Sequence, residues 1–395
     1  MSVTGTMTRA GAALLVTMLG ALAGDLPAQE PPPGDYYVYA AAESEDEVAL
    51  IRYGPEGAEV IETIVVGLYP TEIDGPHGIT VDPRNGRWYV TVAHGNPFGE
   101  VHAYSTADNR RVGRVEVGLF PATMSLTPSG LMFVVNFNLH GDPEPSTVSV
   151  VDTGSLTELA QIPTCETPHG SRLSTDGRHN YLVCVRDDQL VEVDAHRLEV
   201  ARRLYVAPER ERELPLGTLD ADTYLGREAA PPNAPRCGPT WAQPSVDGRY
   251  VYVACNRNSE VLEVDVDEWK VVRRFATGAG PYNLDVSPDG RWLVVTYKGA
   301  QATGVIDLAT GETRRVANTR RLPHGVAVSP DSRYAFISVE GIGGEPGTVD
   351  VIDLEAARLA ASVDMGKQAG GIGFWRFVPS GFGRSSPDGG FNGSR

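Results

Sequence analysis

Residues 281–297 read PYNLDVSPDGRWLVVTY, and this stretch decides the fold. Two runs of alternating apolar residues flank a central SPDG, and such alternation is typical of half-buried β-strands. The proline fixes one backbone angle of the turn, and the glycine supplies the positive φ that a tight hairpin needs. The stretch therefore predicts a β-hairpin that begins at Pro281.

The same pattern occurs at five other places along the chain, at intervals of 45, 47, 71, 42 and 42 residues between the opening prolines. Two further strand-like runs follow each copy, so that one unit contains four strands. A period of about 40–45 residues with four strands is the signature of a β-propeller blade. The copies are PHGITVDPRNGRWYVTV from Pro76, PATMSLTPSGLMFVVNF from Pro121, PHGSRLSTDGRHNYLVC from Pro168, PTWAQPSVDGRYVYVAC from Pro239 and PHGVAVSPDSRYAFISV from Pro323.

A seventh blade is predicted from the two ends of this repeat region. The segment GGIGFWRF (Gly370–Phe377) resembles an innermost strand with no partner after it. The N-terminal runs YYVYAAA, EVALIRYG and AEVIETIVVG supply three strands without an innermost one. Joining them closes the ring and removes exposed strand edges. The prediction is an all-β, seven-bladed propeller over residues 35–377 with four-stranded blades, followed by a disordered Gly/Ser-rich tail over 378–395.

The units PSVDGRYVYVACN, SPDGRWLVVTY and SPDSRYAFISV resemble the repeats of the YVTN family of bacterial propellers. That family is related to the haem-d1 propeller of nitrite reductases and to periplasmic proteins of the YncE type. The asparagine of the family's name motif is replaced by Cys184 and Cys255 in two copies. The resemblance implies the seven-bladed fold over nearly all of the chain after its N-terminal segment, and it leaves the chemistry open.

The N-terminal 28 residues are typical of a secretory signal peptide. Arg9 precedes an apolar run from Ala10 to Ala23, and small residues offer cleavage sites between positions 23 and 28. A periplasmic or secreted protein is therefore expected. The formal net charge of −17 argues against binding to nucleic acid or to anionic lipid, because both need a basic face. A monomer that does not insert into a membrane after signal cleavage is expected.

Three blades carry a histidine directly after the opening proline, at the position predicted to lie on the rim of the central channel. These are His77, His169 and His324, in blades one, three and six, so they are expected to face one another across the mouth. One interpretation is structural, since Pro-His-Gly is a frequent way to begin such a strand. The other is a site for a small ligand or partner segment. Three converging imidazoles are also able to bind Zn or Cu and leave a coordination position open for a substrate.

The four cysteines are predicted to lie near the same mouth. Hairpin register places Cys184 opposite Pro168 or His169 and Cys255 opposite Pro239 or Thr240. Cys165 and Cys237 lie close to those partners on the same face. Disulfides Cys165–Cys184 and Cys237–Cys255 are therefore predicted. The alternative is that thiolates ligate a metal beside His169.

Other residues are also predicted to lie on this face. Trp241 and Tyr282 offer an aromatic wall for a ligand or, alternatively, pack in the core. The long insertion over residues 206–236 is interpreted either as a lid or as a disordered loop. The remaining polar candidates on this face are His94, Asn136, Asn138, His140, Asn283, Lys298 and Glu340.

No catalytic motif of a familiar enzyme class is present in the sequence. It contains neither a G-x-S-x-G elbow, an HExxH helix, a phosphate-binding glycine loop nor a CxxCH haem-attachment motif. The leading hypothesis is an exported propeller that binds a small ligand or a protein segment at the channel mouth. The alternatives are a metal-dependent lyase or oxidase with axial histidines, and a cell-surface structural or adhesion module.

Overall fold

The alternating apolar runs form antiparallel strands in the computed structural model, which describes residues 1–2, 31–68, 71–93, 98–142, 144–216 and 234–381. A short 3₁₀ turn, Glu43–Glu45, joins the first two strands. The strands up to residue 205 are β1 (Gly34–Ala42), β2 (Glu47–Gly54), β3 (Gly57–Val65), β4 (Pro76–Asp82), β5 (Arg87–Val92), β6 (Gly99–Ser105), β7 (Arg111–Val117), β8 (Pro121–Leu126), β9 (Leu131–Asn136), β10 (Thr147–Asp152), β11 (Thr157–Pro163), β12 (Pro168–Leu173), β13 (His179–Cys184), β14 (Gln189–Asp194) and β15 (Glu199–Tyr205).

The second part of the chain continues the same pattern. Its strands are β16 (Arg212–Leu214), β17 (Pro239–Pro244), β18 (Tyr250–Cys255), β19 (Glu260–Asp265), β20 (Lys270–Ala276), β21 (Pro281–Val286), β22 (Trp292–Tyr297), β23 (Ala302–Asp307), β24 (Thr313–Ala317), β25 (Pro323–Val328), β26 (Tyr334–Val339), β27 (Gly347–Asp353), β28 (Arg358–Met365) and β29 (Ala369–Pro379).

These strands form seven four-stranded blades, as predicted. Blades one, two and three are β4–β7, β8–β11 and β12–β15, and blades four, five and six are β17–β20, β21–β24 and β25–β28. Blade seven has the order β29-β1-β2-β3. The innermost strands contact one another in a closed circle, from β4 through β8, β12, β17, β21 and β25 to β29 and back to β4. The predicted seven-bladed propeller is confirmed.

The turn between the first two strands of a blade follows from its sequence. In blade three, the Ser174 hydroxyl donates to Asp176 Oδ1 at 2.6 Å and accepts from the His179 backbone N–H at 3.0 Å. Gly177 follows with a φ of +70°, which a residue with a Cβ adopts only with strain. Blades four and five repeat this turn.

The hydrophobic core lies between neighbouring blades, where the faces of adjacent sheets pack together. Between blades five and six, for example, Trp292 and Val294 pack with Ile337, and all three are buried. Because both faces of most strands are covered in this way, their side chains are apolar on both sides over much of their length. This packing holds each blade at a fixed angle and so fixes the innermost strands around the channel.

Blade seven joins the two ends of the described propeller. Strand β29 pairs antiparallel with β1 from Ala369↔Ala42 to Pro379↔Gly34. The rings of Tyr36 and Phe377 lie 4.6 Å apart across this pair. The strand runs two residues beyond the predicted Phe377, because Val378 and Pro379 still pair with the start of β1, so these two residues do not belong to the predicted disordered tail. Its remainder from 382 lies outside the described residues.

Both described ends of the long insertion contact blade three. Strand β16 pairs with β15 on the outer edge of blade three, with Tyr205 opposite Arg212. At the other end, Arg236 Nε donates to Asp188 Oδ2 at 2.8 Å. Residues 217–233, on which the predicted lid depends, lie outside the described residues.

Candidate functional site

The three rim histidines converge at one end of the channel. His77, His169 and His324 are the second residues of β4, β12 and β25, and each is at most 7% exposed. The ring centroid of His77 lies 6.3 Å from that of His169 and 5.5 Å from that of His324. The shared position after the blade-opening proline therefore brings three imidazoles from three blades into one cluster.

The glycine that follows each of these histidines has a structural reason. A Cβ on Gly78 would lie 2.3 Å from the backbone oxygen of Ala122 in the next blade, and one on Gly170 would lie 2.5 Å from that of Thr240. Neighbouring innermost strands approach this closely only where one of them lacks a side chain. At Gly170, β12 and β17 even form a parallel backbone pair, with Gly170 opposite Trp241. The Pro-His-Gly sequence is thus partly a packing motif, as its structural interpretation held.

His169 is held in one orientation by hydrogen bonds at both ring nitrogens. Its Nδ1 lies 2.7 Å from the Thr240 carbonyl oxygen, which only accepts, so Nδ1 carries the proton. Nε2 is then free to accept from the Tyr282 hydroxyl, 3.2 Å away. Burial lowers the pKa of His169 to about 3, against the opposing effect of the Thr240 hydrogen bond. The ring is therefore neutral at physiological pH.

A lysine and a glutamate, both from loops after second strands, complete this side of the mouth. Lys298 Nζ lies 2.6 Å from Glu340 Oε1 and 4.4 Å from the centre of the Tyr282 ring. Burial lowers the pKa of Lys298, but Tyr282 and Glu340 together outweigh it and leave that pKa raised. The Lys298 side chain is 27% exposed, so it borders the open channel mouth as a cation.

His324 lies between these charges and the other imidazoles. Its Nε2 is 3.8 Å from Glu340 Oε1, and its ring centroid is 4.7 Å from that of Tyr282. Burial is the largest cause that lowers the pKa of His324 well below its usual value, and Lys298, His77 and His169 lower it further. His324 is consequently neutral as well, and the mouth presents the two uncharged imidazoles of His169 and His324 beside one ion pair.

Below the histidines, the channel contains a cavity of about 30 Å³. Four of the side chains that line it carry a buried polar atom without a protein hydrogen-bond partner, namely Nδ1 of His77, Nε1 of Trp241, Oδ1 of Asn283 and Nδ1 of His324. The last of these lies close to the backbone of Gly370, which favours a proton on that ring. All four side chains were candidates from the sequence. The structure brings them together in one cavity.

Two charged residues in the channel were not found from the sequence. Arg172 of β12 lines the cavity, and its guanidinium carbon lies 4.6 Å from the centre of the Trp241 ring. Asp285 of β21 is close enough to raise the pKa of Arg172, although burial lowers that pKa more. Both occupy the fourth position after the blade-opening proline. That shared position was the available signal.

The other polar candidates that the structure describes on this face do not line the cavity. Asn136 donates to Thr147 Oγ1 and Ser149 Oγ, both at 2.8 Å, and so ties strands of blade two together. Asn138 donates to the Asp142 carbonyl oxygen at 3.1 Å within its own loop. His140 is exposed, and its ring centroid lies 5.3 Å from that of Phe120 on the mouth face. His94 lies outside the described residues.

The metal hypothesis gains no support from the geometry. Among the residues that the structure describes, no group of three His, Cys, Asp or Glu side chains is arranged to hold a metal ion. His169 uses both ring nitrogens for hydrogen bonds within the protein. A Zn or Cu site at His77, His169 and His324 therefore remains only a prediction.

Both predicted disulfides are present, so the thiolate alternative is wrong for these cysteines. Cys165–Cys184 has a Cα–Cα distance of 6.0 Å and Cys237–Cys255 one of 4.5 Å. Cys184 pairs with Pro168 and Cys255 with Pro239, so each disulfide lies beside the rim of its blade. Disulfides are typical of proteins outside the cytoplasm. In the described part of the chain, no helix is long and apolar enough to cross a membrane.

The buried neutral histidines predict that acid destabilises the fold. Burial lowers the pKa of His102, His169 and His324, while the unfolded chain binds protons near pH 6.5. Stability is therefore full above about pH 6.5 and falls as pH decreases from there towards the lower folded pKa values. Urea unfolding at pH 7.0, 6.0 and 5.0 is expected to show a progressively smaller free energy of unfolding.

Substitutions separate this effect from general acid destabilisation. His169→Asn and His324→Asn are each expected to flatten the pH dependence between 6.5 and 4.5, because each removes one proton-binding difference. His196→Asn is the control, since His196 is exposed in a turn of blade three. Equal slopes in all four proteins would show that these imidazoles are not the groups being titrated.

Comparison with known proteins agrees with the observed fold. A family model described as a YNCE-like beta-propeller matches residues 239–332, which contain blades four and five and the start of blade six. No curated protein gives a significant match to the sequence.

Several solved structures share the architecture. Hydrazine synthase of Kuenenia stuttgartiensis has a TM-score of 0.60 at 19% identity, over 76% of this chain and 90% of that one. The periplasmic gluconolactonase PpgL of Pseudomonas aeruginosa has a TM-score of 0.62 at 16% identity, over 87% and 99%. A functionally unknown protein from Desulfotomaculum acetoxidans has a TM-score of 0.62 at 13% identity, over 86% and 98%. At these identities the likeness shows the fold alone. The chain is thus a seven-bladed β-propeller that resembles the YNCE-like propellers across residues 239–332.

Proposed function

We propose that this propeller binds a small polar ligand at the mouth of its channel, with one end of the ligand inside the cavity. The observation that carries the proposal is that His77, Trp241 and Asn283 line a single cavity and that each carries a buried polar atom without a hydrogen-bond partner. A buried polar group without a partner costs roughly 1–3 kcal/mol. A ligand that pairs with several such groups recovers this free energy on binding.

The pattern of these atoms favours an end group with both donors and acceptors. Trp241 Nε1 only donates, and Asn283 Oδ1 only accepts. His77 Nδ1 does either, according to its tautomer. An end group of a few atoms that combines an acceptor with a donor, such as a carboxyl, carboxamide or hydroxyl group, fits this set better than an apolar one does.

The cavity size limits what enters it. At about 30 Å³ it has room for roughly two or three water-sized atoms, since one needs about 10–15 Å³. The rest of the ligand would then lie among the rim side chains. There Tyr282 offers a flat aromatic surface and Lys298 a cation beside Glu340. A small molecule or an extended segment of a partner fits such a mouth.

The site is held rigidly, which favours binding. His169 is fixed at both nitrogens. The Thr240 hydroxyl donates to the Tyr282 carbonyl oxygen at 2.7 Å, and the Thr296 hydroxyl donates to that of His324 at 3.0 Å. The first bond joins the innermost strands β17 and β21, and the second joins β22 of blade five to β25 of blade six. A preorganised site loses less conformational entropy when a ligand binds.

We place this activity in the periplasm or outside the cell. The two disulfides support an oxidising compartment. The signal-like N-terminal pattern of residues 1–28 supports export, although residues 3–30 lie outside the described part. Intact-mass measurement of protein recovered from the periplasm tests this, because cleavage between residues 23 and 28 gives a defined loss of mass.

A ligand screen with variants tests the proposed site. A panel of carboxylic acids, amides, amines and polyols with up to about eight non-hydrogen atoms is titrated by NMR against untagged protein. His77→Ala and Asn283→Ala are each expected to weaken a bound compound at least tenfold, because each removes one hydrogen-bonding group from the cavity. His196→Ala is the control and is expected to have no effect, because His196 is exposed in the turn between β14 and β15 and is not one of the mouth residues.

Three results would contradict the proposal. Compounds that bind all variants equally would place binding elsewhere. Stoichiometric metal in the untagged protein, lost when His77, His169 and His324 are all replaced, would instead support the metal-dependent enzyme. Effects on neither ligand nor metal would favour the structural or adhesion module.

A further inference from the structure

The channel contains one guanidinium whose hydrogen-bonding capacity is largely unused. Arg172 has five N–H donors, and its hydrogen bond within the described residues runs from Nη1 to the Ser171 carbonyl oxygen at 2.9 Å. Its planar group lies over the Trp241 ring at 4.6 Å. This contact holds the guanidinium beside the ring, and Arg172 lines the cavity with the donors that Ser171 does not engage still available to a ligand. A fixed fork of donors is the arrangement that recognises planar oxyanions.

The neighbouring groups agree with this reading in chemistry and size. Trp241 lines the same cavity and carries a further donor without a partner, its Nε1. A cavity of about 30 Å³ matches the three heavy atoms of a carboxylate, at roughly 10–15 Å³ for each water-sized atom. Among the channel's cations, Lys298 is already paired with Glu340 at 2.6 Å. Among the described residues that line the cavity, Arg172 is therefore the cation that remains available to a ligand.

We propose that Arg172 binds a carboxylate at the end of the ligand, inside the channel and below the three histidines. The inference rests on the proposed function, since it names the chemical class of the ligand for that site. Arg172 supplies two parallel N–H donors to the two carboxylate oxygens, and Trp241 Nε1 donates to one of them. The rim residues then contact the remainder of the ligand.

Asp285 allows a test in which two substitutions, one at Asp285 and one at Arg172, are expected to change carboxylate affinity in opposite directions. Its carboxylate accepts backbone N–H groups of Val286 at 2.9 Å and Val328 at 3.0 Å, so its position is fixed. It is the acidic group near Arg172, and its negative charge opposes a bound carboxylate. Burial raises the pKa of Asp285, which reduces this opposition. Removing the Asp285 charge is therefore expected to tighten carboxylate binding, and removing the Arg172 charge to weaken it.

The experiment titrates ¹³C-labelled acetate and propanoate against the full protein by NMR, with acetamide and methylammonium as uncharged and cationic probes. Wild-type protein is expected to bind the carboxylates in preference to both other probes. Arg172→Gln is expected to weaken acetate binding at least tenfold, and Arg172→Lys less, because lysine keeps the charge but loses the fork. Asp285→Asn is expected to tighten it severalfold.

Controls separate the site from general charge effects and from misfolding. Arg249→Gln removes an exposed arginine that also lies over an aromatic ring, that of Tyr250, and is expected to leave acetate binding unchanged. Near-ultraviolet circular dichroism checks that each variant is folded. If Arg172→Gln does not fold, Arg172→Lys and Asp285→Asn still predict opposite changes.

The possible outcomes distinguish the two proposals. Preferential binding of methylammonium that Asp285→Asn abolishes would overturn the carboxylate inference and make Asp285 the anchor. Acetamide binding that depends on His77 but not on Arg172 would overturn it while leaving the proposed function in place. Absence of carboxylate binding in the wild-type protein also overturns it, whatever the wider ligand screen finds.

Discussion

A chain that ends at Gly366, and therefore lacks β29, is expected not to accumulate as a folded monomer. Its loss would expose the backbone edge of β1 and the side chains of Tyr36, Val38 and Ala40, which are fully buried. Burying one large apolar side chain contributes about 1.5–3 kcal/mol, and whole domains are stable by only about 5–15 kcal/mol. The truncated protein is expected in aggregates or strand-exchanged oligomers, as measured by size-exclusion chromatography with light scattering.

The matched control is a chain that ends at Gly381. It keeps all of β29, whose pairing with β1 ends at Pro379, and is expected to melt like the full-length protein. A folded, monomeric protein ending at Gly366 with an unchanged melting temperature would contradict the role of β29 in closure. Supplying Ala369–Pro379 as a synthetic peptide is expected to restore the monomer only if strand pairing is the missing element.

A point substitution tests closure without shortening the chain. A Cβ on Gly371 would lie 1.9 Å from the His77 backbone oxygen of blade one. Gly371→Val is therefore expected to push β29 away from β4 and to lower the free energy of unfolding by several kcal/mol. Gly344→Val is the control, since a Cβ there meets no atom within 4 Å.

The fold was predictable because the sequence pattern of one blade occurs six times along the chain. Each copy carries an opening proline and a hairpin turn, and apart from the one interval of 71 residues the copies recur every 42–47 residues, so an error in one copy does not change the period. The seventh blade required a different argument, that a ring with free edges must be closed by its own ends. The end of β29 was misjudged by two residues, because Val378 and Pro379 lie in a Gly- and Ser-rich region and pair only through the start of β1.

The candidate site was partly predictable for a physical reason. The residue after each opening proline keeps the same orientation in every blade, so His77, His169 and His324 were identified by position alone. The orientation of residues further along each innermost strand depends on shifts of strand register, which the sequence pattern does not indicate. Blade three shifts register between Pro168 and Ser171, and blade five does so between Pro281 and Leu284. Arg172 and Asp285 follow such shifts, which recur in the other complete blades, so their shared position four residues after the proline was the signal that the sequence offered.

For Trp241, the two interpretations made from the sequence, core packing and a wall of the ligand site, are compatible. It packs in the core of blades four and five, as its structural interpretation held, and is only 4% exposed. Its ring nevertheless borders the cavity, with Nε1 unpartnered. Trp241 is thus fixed by packing and at the same time lines the cavity with an unpartnered polar atom in its ring. The alternatives that seemed exclusive in the sequence describe different atoms of one side chain.

Removing the two disulfides is expected to cause the next largest loss of stability after opening the ring. Each closes a loop of nearly 20 residues, with sequence separations of 19 and 18. Loops of this length predict about 3 kcal/mol for each disulfide from the entropy of the unfolded chain. With unfolding entropy of about 2.1 cal/mol/K per residue, 3 kcal/mol corresponds to roughly 4 °C in melting temperature for a domain of this size.

The measurement compares wild-type protein with the paired variants Cys165→Ala/Cys184→Ala and Cys237→Ala/Cys255→Ala by calorimetry. Paired replacement avoids leaving a buried thiol that pairs wrongly. Both disulfides are buried at the rim, so a reducing agent reaches them only when the wild-type protein partly unfolds during heating. The reducing agent is then expected to lower the melting temperature of the wild-type protein and to leave that of the fourfold variant, in which all four cysteines are replaced, unchanged. The two losses should add, because the disulfides lie in different blades and in separate core clusters. A fourfold variant that melts with the wild-type protein would show that packing between blades alone fixes the channel mouth.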